Sequence, residues 1–135
     1  MNLKLIFKRT FMLLLATMFL GLVSSCSDDD NTGSGNSGGT HKVVFKAVAS
    51  EGSNVTFTIY SVGNQSTSAS SLSGTTWSSP EITIPAGTQT VYFTASADGA
   101  SASSTLKAQI YVDGELKAEG TSSGKYLSAD TLYDF

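Results

Sequence analysis

The sequence predicts an all-β protein: an immunoglobulin-like antiparallel β-sandwich of about seven strands over residues 41–135. Three observations predict it. Val, Ile, Tyr, Phe, Thr and Ser dominate this span, and no stretch repeats its apolar residues at the helical period. Apolar residues instead alternate with polar ones, as strands buried on one face require. Turn clusters interrupt the alternation every eight to twelve residues or so, the rhythm of a sandwich. A small closed barrel is the second architecture that this pattern permits.

Each element has its own signal. Val43, Phe45, Ala47 and Ala49 alternate along the first strand, and Glu51-Gly52-Ser53-Asn54 turns the chain. Val55 to Val62 is the cleanest strand, with Val55, Phe57 and Ile59 on the face expected to be buried and Thr56, Thr58 and Tyr60 on the other. Residues 63–71 read as a long polar turn, followed by a weak strand over Leu72 to Trp77. Pro80 and Pro85 confine a short strand around Ile82 and Ile84. Thr88 to Ala97 alternates again, with Val91, Phe93 and Ala95 inward, and Asp98-Gly99 ends it. The closing segment, Gly124 to Phe135, is expected beside an earlier strand by a Greek-key return. The expected core is Phe45, Val55, Phe57, Ile59, Ile82, Ile84, Val91, Phe93, Leu106, Ile110 and Leu116, with Trp77.

Leu106 to Gly120 carries the sharpest local expectation. Leu106, Ala108, Ile110 and Val112 alternate up to the turn residues Asp113 and Gly114; Leu116 and Ala118 alternate after them. A two-residue loop would set Val112 opposite Glu115 and Ile110 opposite Lys117, placing charges on the apolar face. A bulge at Gly114 pairs Ile110 with Leu116 and Ala108 with Ala118, so the bulged hairpin is expected, with positive φ at Gly114.

This hairpin, Lys107 to Glu115 followed by Glu119 to Gly124, resembles the end of the small MmpS-type domains. The strand and turn over Val55 to Asn64, and Trp77 ahead of the proline-bounded strand, stand in the order of that family. The resemblance implies a β-sandwich fold and an accessory role beside a membrane transporter. The chain departs from the family in having no cysteine pair within the domain and a lipobox in place of a retained transmembrane helix.

That lipobox lies at the start of the chain. Lys4, Lys8 and Arg9 precede an apolar run from Phe11 to Val23, which is short for a bilayer span. Val23-Ser24-Ser25-Cys26 resembles the bacterial lipoprotein site, so residues 1–25 are expected to be a signal peptide and Cys26 a lipidated N-terminus. Acyl chains on that cysteine would hold the protein to a lipid membrane, since each buried CH₂ contributes about 0.8 kcal/mol. Residues 26–40 have no apolar side chain after the cysteine and read as a flexible tether. Asp28, Asp29 and Asp30 resemble the acidic export signal of surface lipoproteins in the Bacteroides group. The expected location is a bacterial outer membrane, lipid-anchored, either periplasmic or surface-exposed.

Charge and composition narrow the function. The chain carries 8 basic and 11 acidic residues, and three of the basic ones lie within the signal peptide. An acidic mature domain is a poor match for nucleic acid. His41 is the single histidine and Cys26 the single cysteine, too few for a zinc site. No cofactor motif, P-loop or nucleophile elbow is present. The reading is therefore a non-enzymatic envelope lipoprotein acting as a binding or accessory domain, with another envelope protein as partner. An extracellular glycan- or ligand-binding module and a passive structural lipoprotein are the alternatives. Tyr60, Trp77, Tyr92 and Tyr111 are the candidate partner surface, because each aromatic either caps the core or faces outward from a strand.

Overall fold

A computed structural model describes residues 39–135. The signal peptide, Cys26 and residues 26–38 of the tether lie outside the described residues. Nine strands, and no helix, make up the described span. They are β1 (His41–Ala49), β2 (Asn54–Val62), β3 (Gln65–Ser70), β4 (Thr76–Ser78), β5 (Ile82–Ile84), β6 (Thr90–Asp98), β7 (Thr105–Val112), β8 (Glu115–Ser123) and β9 (Tyr126–Asp134). Two antiparallel sheets form a sandwich. Sheet A runs β4-β1-β7-β8, with β5 also paired to β1, and sheet B runs β3-β2-β6-β9.

The strand count exceeds the expected seven, and β3 is the strand that the sequence did not assign, because residues 65–70 fall within the expected polar turn. A two-residue loop, Gly63-Asn64, folds Gln65–Ser70 back onto β2, with Tyr60 opposite Thr67. Gly63 has φ 56°, the left-handed value needed where a tight hairpin opens. The two separately expected short strands, β4 and β5, share one edge of sheet A with a break between them. β4 pairs with β1 at Lys46–Val48 and β5 at His41–Val43. Buried Ser79 bridges the gap: its Oγ accepts from Phe45 N at 3.0 Å, and its own N–H donates to Phe45 O at 2.9 Å. Pro80 follows, and a proline has no N–H to continue a ladder.

The core lies between the sheets. Val43, Phe45 and Ala47 of β1 and Leu106, Ala108 and Ile110 of β7 face Val91, Phe93 and Ala95 of β6, all fully buried. Leu127 and Ala129 of β9 complete it, and Trp77 and Ile82 are half-buried against it.

β2 departs from the expected pattern. The pairing with β6 slips between Val55 and Phe57, so Thr56 is an extra residue. A bulge of one residue exchanges the two faces of everything beyond it. Val55 is buried, but the next inward residues are Thr58, Tyr60 and Val62. Phe57 and Ile59, expected in the core, face outward instead. Thr58 is completely buried, and its Oγ1 has no partner among the described residues.

The β7–β8 hairpin also differs. Its loop has two residues: Val112 pairs with Glu115 across Asp113 and Gly114, whose φ values are 51° and 83°. Two positive φ values belong to a type I′ turn, which matches the strand twist. Gly114 therefore has its expected positive φ, while the bulge sits at Lys117. Tyr111 pairs with Leu116 and Ile110 with Ala118, so Lys117 is the extra residue. Displacing the bulge keeps charge away from Ile110, but Leu116, expected in the core, is exposed. Ala108 faces Gly120 rather than Ala118.

Gly120 marks where the two sheets meet. A Cβ there would overlap the carbonyl oxygen of Asp130 on β9. Ala118, Gly120 and Ser122 give β8 a low inner surface, and Ser122 Oγ accepts from Ser128 N at 3.2 Å. Replacing Gly120 with Ala should force this seam apart and lower stability by about 1–3 kcal/mol; an unchanged urea midpoint would show that the approach is not tight. Thr58→Val removes an unpartnered buried hydroxyl at nearly constant volume, so it should raise stability by about 1 kcal/mol in the same assay.

Candidate functional site

The four candidate aromatics do not form one surface. Tyr60 and Trp77 turn inward and join Phe45 and Phe93 in an aromatic cluster. Tyr60 stacks on Phe45 with centroids 4.7 Å apart, and Trp77 stacks on Phe93 at 5.9 Å. Tyr60 and Trp77 are 6.3 Å apart. Both are half-buried, so they help to close the core near sheet A's broken edge. Tyr111 lies on the outer face of sheet A beneath Lys46, whose Nζ is 4.8 Å from the ring centroid. Tyr92 lies on the outer face of sheet B.

The two outer faces differ in where ion pairs form. Every Lys–Glu ion pair among the described residues belongs to sheet A or its connecting turns: Lys42 with Glu81 at 2.8 Å, Lys117 with Glu115 at 3.0 Å and Lys107 with Glu119 at 3.6 Å; His41 and Asp113 also meet there, at 2.7 Å. Hydrogen bonding to Glu81 raises the Lys42 pKa, and hydrogen bonding to Glu115 raises that of Lys117. Such exposed pairs make a well-solvated surface and contribute little to stability.

Sheet B presents hydroxyls, apolar side chains and, on β6 and β9, the carboxylates of Asp98, Asp130 and Asp134. The pairing registers place Ser66, Ser61, Tyr92 and Leu132 in one row across the sheet, and Ser68, Ile59, Thr94 and Asp130 in the next. Ser70, Phe57, Ser96 and Ser128 form the third. Phe57 is 36% exposed, Tyr92 39% and Leu132 53%. Tyr126 is also exposed at the far end of β9. The sequence marked Tyr92 as outward-facing but hid Phe57 and Ile59, because their orientation depends on the Thr56 bulge. Leu132 was hidden because the closing segment had no assigned register.

A cleft lies at the mouth between the sheets, where β3 and β5 are the edges. Tyr60, Val62, Gln65, Thr67, Ile82 and Pro85 help to line a cleft of about 450 Å³, and no charged side chain contributes. Among the described residues no group of three or more His, Cys, Asp and Glu side chains converges as a metal site. Compared with known proteins, the chain matches no family model and no curated protein.

His41 and Asp113 form a clasp where the first strand begins. His41 Nδ1 donates to Asp113 Oδ2, and Lys42 N donates to Asp113 Oδ1 at 2.9 Å. Asp113 N returns a bond to Lys42 O at 2.7 Å. Phe135 stacks on His41 at 5.0 Å. The His41 hydrogen bond, then that of Lys42, holds the Asp113 carboxyl below its ordinary pKa. A depressed folded-state pKa means stability that is present above the unfolded carboxylate value, near 4, and lost as pH falls through the lower folded value. Asp113→Asn tolerates the left-handed turn but removes this charge. It should lower the denaturation midpoint at about pH 6, with the gap from wild type narrowing as pH falls below the ordinary carboxylate value of about 4. A gap of constant size across that range would show that the ionised carboxylate is not what stabilises the clasp.

Proposed function

We propose that this chain is a non-catalytic envelope lipoprotein that serves as a binding or accessory domain for another envelope protein. In this reading, acyl chains on Cys26 hold it to a bacterial outer membrane, and the tether lets the sandwich reach its partner. The sandwich is immunoglobulin-like in architecture, with a strand order of its own: the β7–β8 hairpin comes between the sheet B neighbours β6 and β9. The resemblance to MmpS-type domains extends the proposal to a partner concerned with membrane transport.

One observation carries the docking role. The Thr56 bulge turns Phe57 and Ile59 outward into a face that already presents Tyr92 and Leu132 and lacks the ion pairs of sheet A. Large apolar side chains grouped on one face are a common mark of an interaction surface. Ile59 and Leu132 mix aliphatic side chains with the rings of Phe57 and Tyr92, a composition that suits a protein surface better than a purely aromatic platform for a sugar.

The test combines anchoring with docking. Crosslinked pulldown from native envelope should recover one stoichiometric protein with the wild-type chain. Phe57→Ser with Leu132→Ser should lose that protein while leaving thermal stability within about 1 kcal/mol of wild type, since both side chains are substantially exposed. Fatty-acid labelling should disappear in Cys26→Ala. Equal labelling of wild type and Cys26→Ala would refute the lipid anchor; retention of the partner by the doubly substituted face would refute the docking surface.

A further inference from the structure

We infer that the outer edge of β3, together with the adjoining cleft, is a strand-addition site for an extended, uncharged segment of a partner protein. The edges of the two sheets are treated differently. β4 and β5 are three residues each, with prolines at 80 and 85. β8 carries Glu115, Lys117 and Glu119 and lies against β9 at Gly120. Short strands, prolines and charges are the usual guards against edge pairing. β3, Gln-Ser-Thr-Ser-Ala-Ser, has none of them.

The hairpin geometry says which groups it offers. A two-residue loop is flanked by a hydrogen-bonded pair, here Val62 and Gln65. Gln65, Thr67 and Ala69 therefore bond to β2. Ser66, Ser68 and Ser70 direct their N–H and C=O groups away from it. Such a row is complemented by another extended backbone and not by a helix or a sugar ring.

The cleft supplies the second observation. Gln65 and Thr67 point inward with Tyr60 and Val62, and across the mouth stand Ile82 and Pro85. A strand about 4.8 Å beyond β3 would lie over this opening, with alternate side chains directed into it. Backbone bonds then supply affinity and the cleft supplies selectivity, as in other strand-addition sites. The uncharged, largely apolar lining selects a segment with an uncharged apolar residue at every second position. The chain's own Ser27–Thr40 segment contains no apolar side chain and does not meet that requirement. This site is separate from the Phe57–Leu132 face and does not rest on it.

The experiment is selection of displayed random peptides of about nine residues on the folded protein, followed by amide exchange of the best binder's complex. Expected are sequences with apolar residues in period two and no charge at those positions. The Ser66, Ser68 and Ser70 amides should slow by about tenfold or more. Ser68→Pro removes one outward N–H without touching the β2 ladder and should weaken binding by about tenfold or more. Thr67→Lys, at an exposed position facing the mouth, should do the same should the proline variant fold poorly. Phe57→Ser should leave peptide binding unchanged, which separates failure here from failure of the outer-face reading. The inference is overturned by no enrichment, by peptides that bind both β3 variants normally, or by protection confined to the outer face. Concentration-dependent protection of the same amides without peptide would identify a second copy as the occupant and would overturn the partner segment.

Discussion

One extra residue in β2 controls the distribution of apolar surface in this domain. Thr56 has no counterpart on β6, and everything after it in β2 is reversed between core and solvent. Burying a Phe or Ile side chain fully is worth about 1.5–3 kcal/mol, so a register that leaves Phe57 and Ile59 outside forgoes part of that. The inward places go to Thr58, Tyr60 and Val62 instead. Tyr60 gains a stacked partner in Phe45, which recovers some of the loss. Thr58 does not: its hydroxyl is buried without a partner among the described residues. A bulge that worsens the core and improves an outer face is more readily explained by what that face does than by stability.

The seam at Gly120 determines the form of the rest. Small residues on β8 let β9 come close enough that even a methyl group would collide with Asp130. The sandwich is therefore drawn together along β8 and β9. Along β3 and β5 its edges are joined by no ladder, and a cleft lies between them. Sheet A's short, proline-bounded strands cannot cover that mouth, and aromatic packing by Tyr60 and Trp77 closes the core beneath it.

Much of the fold was legible in the sequence because alternation is a strong signal wherever only one parity is apolar. β6 and β7 come near to that, with one tyrosine each on the outward parity, and in β1 Lys42 and Lys46 mark the outward parity although Val44 and Val48 share it; Phe45, Phe93, Leu106 and Ile110 are buried as expected. β2 lacks that property. Val55, Phe57 and Ile59 make one plausible face, and Tyr60 and Val62 begin another, so a single inserted residue can exchange them. β3 has no apolar face at all, which makes a Ser/Thr-rich edge strand look like a loop. In the β7–β8 hairpin the Asp-Gly pair supports two turn geometries. The clasp from His41 and Lys42 to Asp113, invisible in local sequence, accompanies the type I′ form. The candidate surface inherited these ambiguities. Tyr92 could be assigned from β6 alone, whereas its neighbours depend on the β2 bulge and the β6–β9 register.

The two sheets consequently have different relations to water. Sheet A's outer side chains include paired Lys and Glu residues, which remain hydrated and disfavour close approach by an apolar surface. Sheet B's outer face has no Lys–Glu pairs; serines and threonines surround Phe57, Ile59, Tyr92 and Leu132, and its charges are the carboxylates of Asp98, Asp130 and Asp134 on β6 and β9. Hydroxyls are less costly to desolvate than ammonium or carboxylate groups and can exchange water for backbone partners. A partner approaching the ion pairs of sheet A must displace strongly held water, while one approaching sheet B over β2 and β3, which hold no charged residue, gains apolar burial at smaller desolvation cost. β3 belongs to sheet B and itself carries no charge. A strand added there would extend the hydroxyl-rich face without bringing a like or unpaired charge beside it, so the edge and the face present chemically continuous surfaces.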